Sequence, residues 1–283
     1  MSLLNAITLT EINKIFPNTE LKREYLRLLS QEKPINTNNL RRIVDINNVI
    51  IDTWEYHISK RIIRDIFTRT DKYIKNRNAK NKIDELILDW NNLGLGDFEW
   101  PFSAMRFDQH VHILNRKDIS EQEKDEILAG EVIKFRRIKE INALRNDYIE
   151  YLIFNNCEDI IPTLSNSKGV DFYINGEPFD QKVARSVSRP FIETYGEDYK
   201  EVAIQHPELV AEILYKYQDE ERFGYEPRLL IVYIDSDLTN EDIENSLQNV
   251  NFNNPMEISF EYEHLDGRVM SYETYCYIIL LHN

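Results

Sequence analysis

The chain has little cysteine and no long apolar run, and each shortage excludes a class of protein. Its 283 residues include only Cys157 and Cys276, so disulfides do not form its framework and a reducing compartment is favoured. The apolar stretch 275–281 is far shorter than the roughly 20 residues that span a bilayer. Residues 2–13 lack the basic and then apolar pattern of a signal peptide. We therefore expect a soluble, cytoplasmic protein.

The sequence also lacks a Gly-rich phosphate loop and a Cys-x-x-Cys pair, which argues against an ATP-driven enzyme and a zinc finger. Basic residues are outnumbered, with 34 Lys and Arg against 49 Asp and Glu, a net charge of −15. This balance excludes a uniformly basic nucleic-acid binder but leaves room for a local basic surface. Segment 60–82 is such a candidate, because it carries nine basic and two acidic residues.

The composition is that of a globular protein, with 42% hydrophobic and 29% charged residues, and the order of the predicted elements indicates an α/β fold. Residues 1–118 are predicted to be mainly helical, including one long helix over 37–73, although 107–112 alternate in the manner of a strand. Residues 119–283 are predicted to contain a helix, three strands, a helix and a fourth strand. They end in a hairpin over 256–281. The predicted strands are 160–164, 169–174, 178–184 and 229–234.

A hairpin carries the most informative side chains. Asn175-Gly176 lies between two alternating runs, which predicts a two-residue turn that pairs Ile174 with Glu177. Side chains alternate between the two faces of a strand. The apolar face then comprises Val170, Phe172, Ile174, Phe179 and Val183, with the polar Gln181 among them. The opposite face carries Asp171, Asp180 and Lys182.

This register predicts a cation site. Asp171 and Asp180 are expected to lie directly opposite, with Cβ atoms about 4.5–5.5 Å apart, so that their charges repel. A divalent cation would relieve the repulsion, and Mg²⁺ suits oxygen ligands with positions left open for substrate phosphate. Lys182 is placed to position a water or to stabilise charge on a phosphorane. The alternative interpretation is a solvated hairpin face with an ordinary Asp–Lys pair.

Asp171 followed by Asp180-x-Lys182 on the next strand resembles the PD-(D/E)xK nuclease superfamily, which includes most type II restriction endonucleases. The resemblance covers roughly residues 131–234, and Val170 stands where the family name has proline. It implies a restriction-endonuclease-like core of helix, three-strand antiparallel meander, helix and strand. It also implies that Asp171 and Asp180 bind Mg²⁺, and that Lys182 assists the attack of water on DNA.

Many members of that superfamily add an acidic ligand from the helix before the strands. Glu150 is our first choice here, and Asp147 and Glu140 are alternatives between which the sequence does not decide. Arg185 and Arg189 follow the predicted catalytic strand, where they would contact DNA phosphates or serve the fold. In the basic segment, Lys72, Lys75 and Arg77 are candidates for phosphate contacts, with a solvated helix face as the alternative.

The resemblance implies a Mg²⁺-dependent type II restriction enzyme that cuts double-stranded DNA at a specific site. Residues 119–283 would form the nuclease core, while residues 1–118 would contact DNA or dimerise. A homodimer is expected because a two-fold interface matches a palindromic site, and a DNA methyltransferase acting on that site would be its companion. The alternatives are a repair or junction-resolving nuclease of the same superfamily and a non-catalytic protein-interaction module.

Overall fold

A computed structural model describes residues 2–36, 40–96, 104–164, 169–218, 223–235, 238–248 and 250–283. The first part of the chain is helical, as predicted. Its helices are α1 (Leu9–Ile15), α2 (Thr19–Glu32), α3 (Ile43–Thr53), α4 (Tyr56–Thr68), α5 (Asp71–Arg77), α6 (Ala79–Asn92) and α7 (Ala104–Asn115).

The prediction of one helix over 37–73 is wrong, because α3, α4 and α5 are separate and 37–39 lie outside the described residues. The first break is at Trp54, whose extended backbone ends α3 and whose indole N–H donates to the Leu3 carbonyl at 2.8 Å. The second is at Thr70, whose side chain caps α5 by accepting a hydrogen bond from the Tyr73 amide. An apolar period of 3.6 residues continues across both breaks, so it does not reveal them.

The strand-like alternation of 107–112 is also misleading, because these residues belong to α7. Phe107, Val111 and Leu114 are spaced as neighbours on one side of a helix. Phe107 stacks on Phe135 with the ring centroids 5.3 Å apart. Six alternating residues were therefore too few to distinguish a strand from a helix.

The second part of the chain follows the predicted order of helix, three strands, helices and strand. Its elements are α8 (Glu121–Asn156), β1 (Ile160–Pro162), β2 (Phe172–Ile174), β3 (Glu177–Ala184), α9 (Arg189–Tyr195), α10 (Tyr199–Gln205), α11 (Pro207–Lys216), β4 (Arg228–Tyr233), α12 (Asn240–Gln248), β5 (Met256–Glu263) and β6 (Val269–Leu281). The six strands form one sheet in the order β1-β2-β3-β4-β6-β5. Pairs β3–β4 and β4–β6 are parallel and the other three are antiparallel, so the predicted mixed α/β class is confirmed.

Helices cover both faces of the sheet. On one face, α6, α8 and α12 pack on Phe179, Leu229 and Ile231. On the other face, the N-terminal helices pack on Tyr173, and α9–α11 pack on Leu230. Full burial of side chains of this size contributes roughly 1.5–3 kcal/mol each. Strand β3 lies between these two groups of helices on the second face.

The predicted Asn175-Gly176 turn is confirmed, with φ of 51° and 82° at its two residues. Ile174 pairs with Glu177 across it. The Gly176 carbonyl also accepts the Leu3 amide N–H at 2.9 Å, which joins the N-terminal segment to the hairpin. The C-terminal hairpin formed by β5 and β6 is confirmed as well.

The packing does not stop at the predicted domain boundary at residue 118. Ala79 and Ile83 of α6 share a buried cluster with α8 and the sheet. The division into 1–118 and 119–283 therefore stays a prediction about function. Both cysteines are free and buried. Within the described part of the chain, each helix is too short or too polar to cross a membrane.

Candidate active site

Asp171 immediately precedes β2, at the end of the ladder that β2 forms with β3. The ladder with β3 ends at the Phe172–Phe179 pair, so the predicted Asp171–Asp180 pair is not one of its rungs. Instead, the Asp171 amide N–H donates to the Phe179 carbonyl at 2.9 Å, and its carboxylate accepts the Gln181 N–H at 2.8 Å. Asp171 is therefore held against β3 by two hydrogen bonds.

Because the chain leaves the strand at Asp171, the predicted alternation fails just before it. Phe172, Ile174 and Phe179 share a cluster with α8, as expected. Val170 was predicted to join them, but it packs with the N-terminal helices on the other face.

Asp180 and Lys182 lie on one face of β3, as predicted, and contact each other. The Lys182 Nζ is 2.7 Å from an Asp180 carboxylate oxygen, and the Lys182 side chain is 54% exposed. Lys182 pairs in register with Leu230 of β4, which packs with α9–α11, but more than half of the Lys182 side chain stays exposed. The ammonium is therefore accessible to a ligand.

Strand β3 and α8 border a small polar cleft of about 220 Å³. Gln181 lies here, and its Oε1 is buried without a hydrogen-bond donor among the described residues. Asp180 does not line this cleft, although it is adjacent in sequence. The lining residues are Asn146, Glu150, Asp171, Gln181, Lys182 and Val183.

Of the three helix acids proposed from the sequence, Glu150 alone lines the cleft. One of its carboxylate oxygens forms an ion pair with Lys72, and the other accepts the Asn76 side-chain amide at 3.2 Å. Asp147 pairs with Lys75 at 2.9 Å, and Glu140 pairs with an arginine of its own helix. The structure thus brings Glu150 and Asp171 to one site.

The environment of Asp171 opposes its ionised form. Burial raises the pKa of this carboxyl group, and the charges of Asp180 and Glu150 raise it further. The hydrogen bond from the Gln181 amide and the charge of Lys72 act in the opposite direction. A cation bound beside Asp171 would favour ionisation.

The donors in the cleft suit a hard cation. Glu150 and Asp171 offer carboxylates, and Gln181 offers an amide oxygen that lacks a donor. Mg²⁺ is commonly bound through one or two carboxylates, with waters and phosphate oxygens as its remaining ligands. In the part of the chain that the structure describes, His, Cys, Asp and Glu side chains do not gather in a group of three or more around a metal position.

The basic segment 60–82 is largely neutralised by its own neighbours. Lys72 and Lys75 point to α8, where they pair with Glu150 and Asp147. Arg64 donates to three backbone carbonyls near the end of α8. The other paired cations are Lys60, Arg61, Arg69 and Lys80. Arg77 and Lys82 are exposed and form no ion pair with a described residue.

The two arginines after β3 lie in different environments. Arg185 donates to the Asn142 carbonyl at 3.2 Å and to the Asn146 side chain at 2.9 Å, which places it beside the cleft. Arg189 begins α9 and forms a 2.6 Å ion pair with Glu193, and its side chain is 88% exposed. Arg185 thus borders the candidate site, whereas Arg189 belongs to the open surface.

Residue spacing alone did not bring Gln181, Asn146 and Lys72 together in one site. A signal for the first was present, since Gln181 was the one polar residue on an otherwise apolar strand face. Asn146 and Glu150 are four residues apart on α8, which is the spacing of helix neighbours. Nothing in the sequence placed Lys72 beside them.

Comparisons with protein-family models, with curated proteins and with solved structures found no match to this chain.

Proposed function

We propose that this chain is a Mg²⁺-dependent endonuclease that hydrolyses phosphodiester bonds of double-stranded DNA at a specific site, as a type II restriction enzyme does. The observation that carries the proposal is the polar cleft between α8 and the β2–β3 hairpin, where Glu150 and Asp171 meet. Lys182 lines the same cleft. Acidic oxygens can hold the metal ion of a phosphodiester hydrolysis, and an accessible ammonium can stabilise the charge that develops on the phosphate.

The order of elements supports a restriction-endonuclease-like core. A long helix, α8, precedes the three antiparallel strands β1–β3, and helices α9–α11 precede the parallel strand β4. This is the order that the resemblance implies. Lys182 lies on β3, and Asp171 lies next to that strand. Glu150 lies on α8, on the other side of the cleft.

Each residue has a distinct role in the proposed reaction. Glu150 and Asp171 would hold Mg²⁺, which would polarise the phosphate and lower the pKa of a bound water, whereas Asp180, the second ligand expected from the sequence, lies outside the cleft and pairs with Lys182. Gln181 Oε1 supplies a neutral oxygen to the same cleft. The Lys182 ammonium donates to a phosphate oxygen or orients the attacking water.

Substrate contacts would surround this cleft. Arg185 is next to it, and Arg77 and Arg189, which are exposed, would contact phosphates further along a duplex. A homodimer would read a palindromic sequence, and a methyltransferase would protect the same sequence in the host DNA. A repair or junction-resolving nuclease would use the same cleft on a different DNA structure.

The first prediction tests the chemistry. Lys182→Ala should abolish Mg²⁺-dependent cleavage of a sequenced plasmid, because it removes the ammonium beside the cleft. Its fold should be retained, since the side chain is 54% exposed. Cleavage is measured with Mg²⁺ and with chelator, and the ends of the fragments are sequenced.

Lys216→Ala is the matched control, because Lys216 is exposed on α11 and does not line the cleft. Discrete fragments would support a restriction enzyme, and a smear would support a less specific nuclease. Wild-type turnover by Lys182→Ala would refute the catalytic role. No cleavage by the wild type of any plasmid or junction would favour a protein-interaction module.

A further inference from the structure

We infer that Lys72 is a built-in counter-ion of the cleft, and that its ammonium competes with the divalent cation for Glu150. This inference rests on the proposed metal site. It adds that the metal-free protein already holds a positive charge beside the proposed cation position, supplied by a helix outside the nuclease core.

Helix α5 is responsible for this arrangement. Thr70 caps the helix, and α5 packs across α8. From its first turn, the Lys72 ammonium contacts a Glu150 carboxylate oxygen, and the two side chains are 28% and 15% exposed. One turn later, the buried Asn76 donates to the other oxygen of Glu150 at 3.2 Å. Residues of α5 thus contact both oxygens of Glu150, one through an ion pair and the other through a hydrogen bond.

The same ammonium acts on the second acid of the cleft. Asp171 lines the same cleft as Glu150 and interacts electrostatically with the Lys72 charge. One side chain therefore balances two carboxylates that line one cleft. A partly buried carboxylate that loses its cationic partner is destabilised, so a positive charge beside Glu150 stabilises the fold both without metal and with it.

A divalent cation would take over this balancing role. Lys72 and a metal ion that binds through Glu150 would compete for the same carboxylate group, and two cations so close repel each other. Binding of the metal must therefore displace Lys72 from Glu150. The ion pair lowers the affinity of the cleft for the metal by the free energy needed to break it.

The neighbouring pair of Lys75 with Asp147 provides a matched control. It joins the same two helices at 2.9 Å, but Asp147 does not line the cleft. Neutralising Lys75 therefore removes an α5–α8 ion pair of the same kind without affecting the cation position.

The test is isothermal titration calorimetry of the full chain with Mg²⁺ alone. Lys72→Met should bind Mg²⁺ about tenfold more tightly than the wild type, a change of about 1.4 kcal/mol, because the metal no longer competes with an ammonium ion-paired to Glu150. Lys75→Met and Lys72→Arg should stay close to the wild type. In a Glu150→Gln background, the effect of Lys72→Met should disappear.

Thermal melts supply an independent readout and use Lys72→Gln as a second, less apolar variant. Both Lys72 variants should be less stable than the wild type in chelator, and should gain more stability than the wild type when Mg²⁺ is added. Lys75→Met should lose stability equally under the two conditions.

The outcomes separate this inference from the nuclease proposal. Tighter Mg²⁺ binding by Lys72→Met without DNA cleavage by any form would support the counter-ion and refute the nuclease. Cleavage with unchanged or weaker Mg²⁺ affinity in Lys72→Met would refute the counter-ion alone. Absence of Mg²⁺ binding in every form would refute both.

Discussion

The protonation of Asp171 depends on the other charged groups of the site and on burial. Burial and two neighbouring acids raise the pKa of this carboxyl group, so the ionised form is less favourable in the fold than in the unfolded chain. An ionised group of this kind lowers stability at neutral pH, and the loss disappears as pH falls below the ordinary pKa of aspartate.

Asp171→Asn should therefore raise the free energy of unfolding in chelator at neutral pH. Asparagine keeps an oxygen to accept the Gln181 N–H. The gain should shrink as pH falls through the raised pKa and towards the ordinary aspartate value. With excess Mg²⁺ at neutral pH the sign should reverse, because the wild type gains stability by binding. Urea denaturation at neutral and acidic pH, with and without Mg²⁺, measures both effects.

Asp45→Asn is a control of opposite sign. The hydrogen bond from Arg42 lowers the pKa of Asp45, so its replacement should reduce stability at neutral pH and have no effect at strongly acidic pH. If Asp171→Asn lowers stability equally with chelator and with Mg²⁺, the Asp171 carboxylate serves only as a structural hydrogen-bond acceptor.

For single residues, the sequence predicted the side-chain positions that follow from strand alternation. It missed the positions that depend on hydrogen bonds from other segments of the chain. Asp180 and Lys182 are two residues apart on β3, so their shared face followed from the pattern. The departure of Asp171 from the ladder depends on a Gln181 amide and on Thr163, whose N–H donates to the Asp171 carbonyl at 3.0 Å. Such hydrogen bonds leave no mark on residue spacing.

Among the elements, the break between α4 and α5 has the largest consequence for the site. A continuous helix would carry residues 72–76 on along the axis of α4. The cap at Thr70 instead starts a new helix that packs on α8. The sequence predicted that this region is helical, because its apolar period is clear. It did not predict the change of direction, since a threonine between two helical segments is a weak signal.

A second contact between helices supports a prediction about pH. Glu244 of α12 accepts hydrogen bonds from Lys80 of α6 and Tyr148 of α8. These bonds lower the pKa of Glu244, the Lys80 contribution being the larger. An acid with a lowered pKa stabilises the fold above its ordinary pKa, and this contribution is lost as pH falls through the folded value.

Glu244→Gln should therefore lower the free energy of unfolding by about 1 kcal/mol at neutral pH. The difference from the wild type should vanish under strongly acidic conditions, where Glu244 is protonated in both states. Glu241→Gln, on the exposed side of α12, should have a smaller effect. Chemical denaturation across the pH range measures the difference. A loss that persists at acidic pH would instead point to disturbed packing between the helices.

For the whole molecule, charge is the property that the sequence and the structure describe differently. The chain carries −15, and the sequence suggested that segment 60–82 was a basic exception for DNA. In the folded protein, most cations of that segment neutralise acids or backbone carbonyls close to them. Neutralising Lys72 and Lys75 would leave Glu150 and Asp147 without their cationic partners. A change in DNA binding could then come from this new negative charge rather than from lost phosphate contacts.

A more direct test uses Arg77 and Lys82, the cations of this segment that are exposed and form no ion pair with a described residue. If Arg77 and Lys82 contact phosphates, then Arg77→Gln with Lys82→Gln should weaken binding to every duplex sequence. Each lost contact should reduce the slope of log affinity against log salt by about 0.9. Fluorescence anisotropy with a duplex oligonucleotide over a salt series measures this slope.

Arg61→Gln is the control, because Arg61 already pairs with Glu32 and its replacement should leave the slope nearly unchanged. If the double variant keeps the wild-type slope, DNA does not contact this surface, and Arg185 and Arg189 become the positions to neutralise.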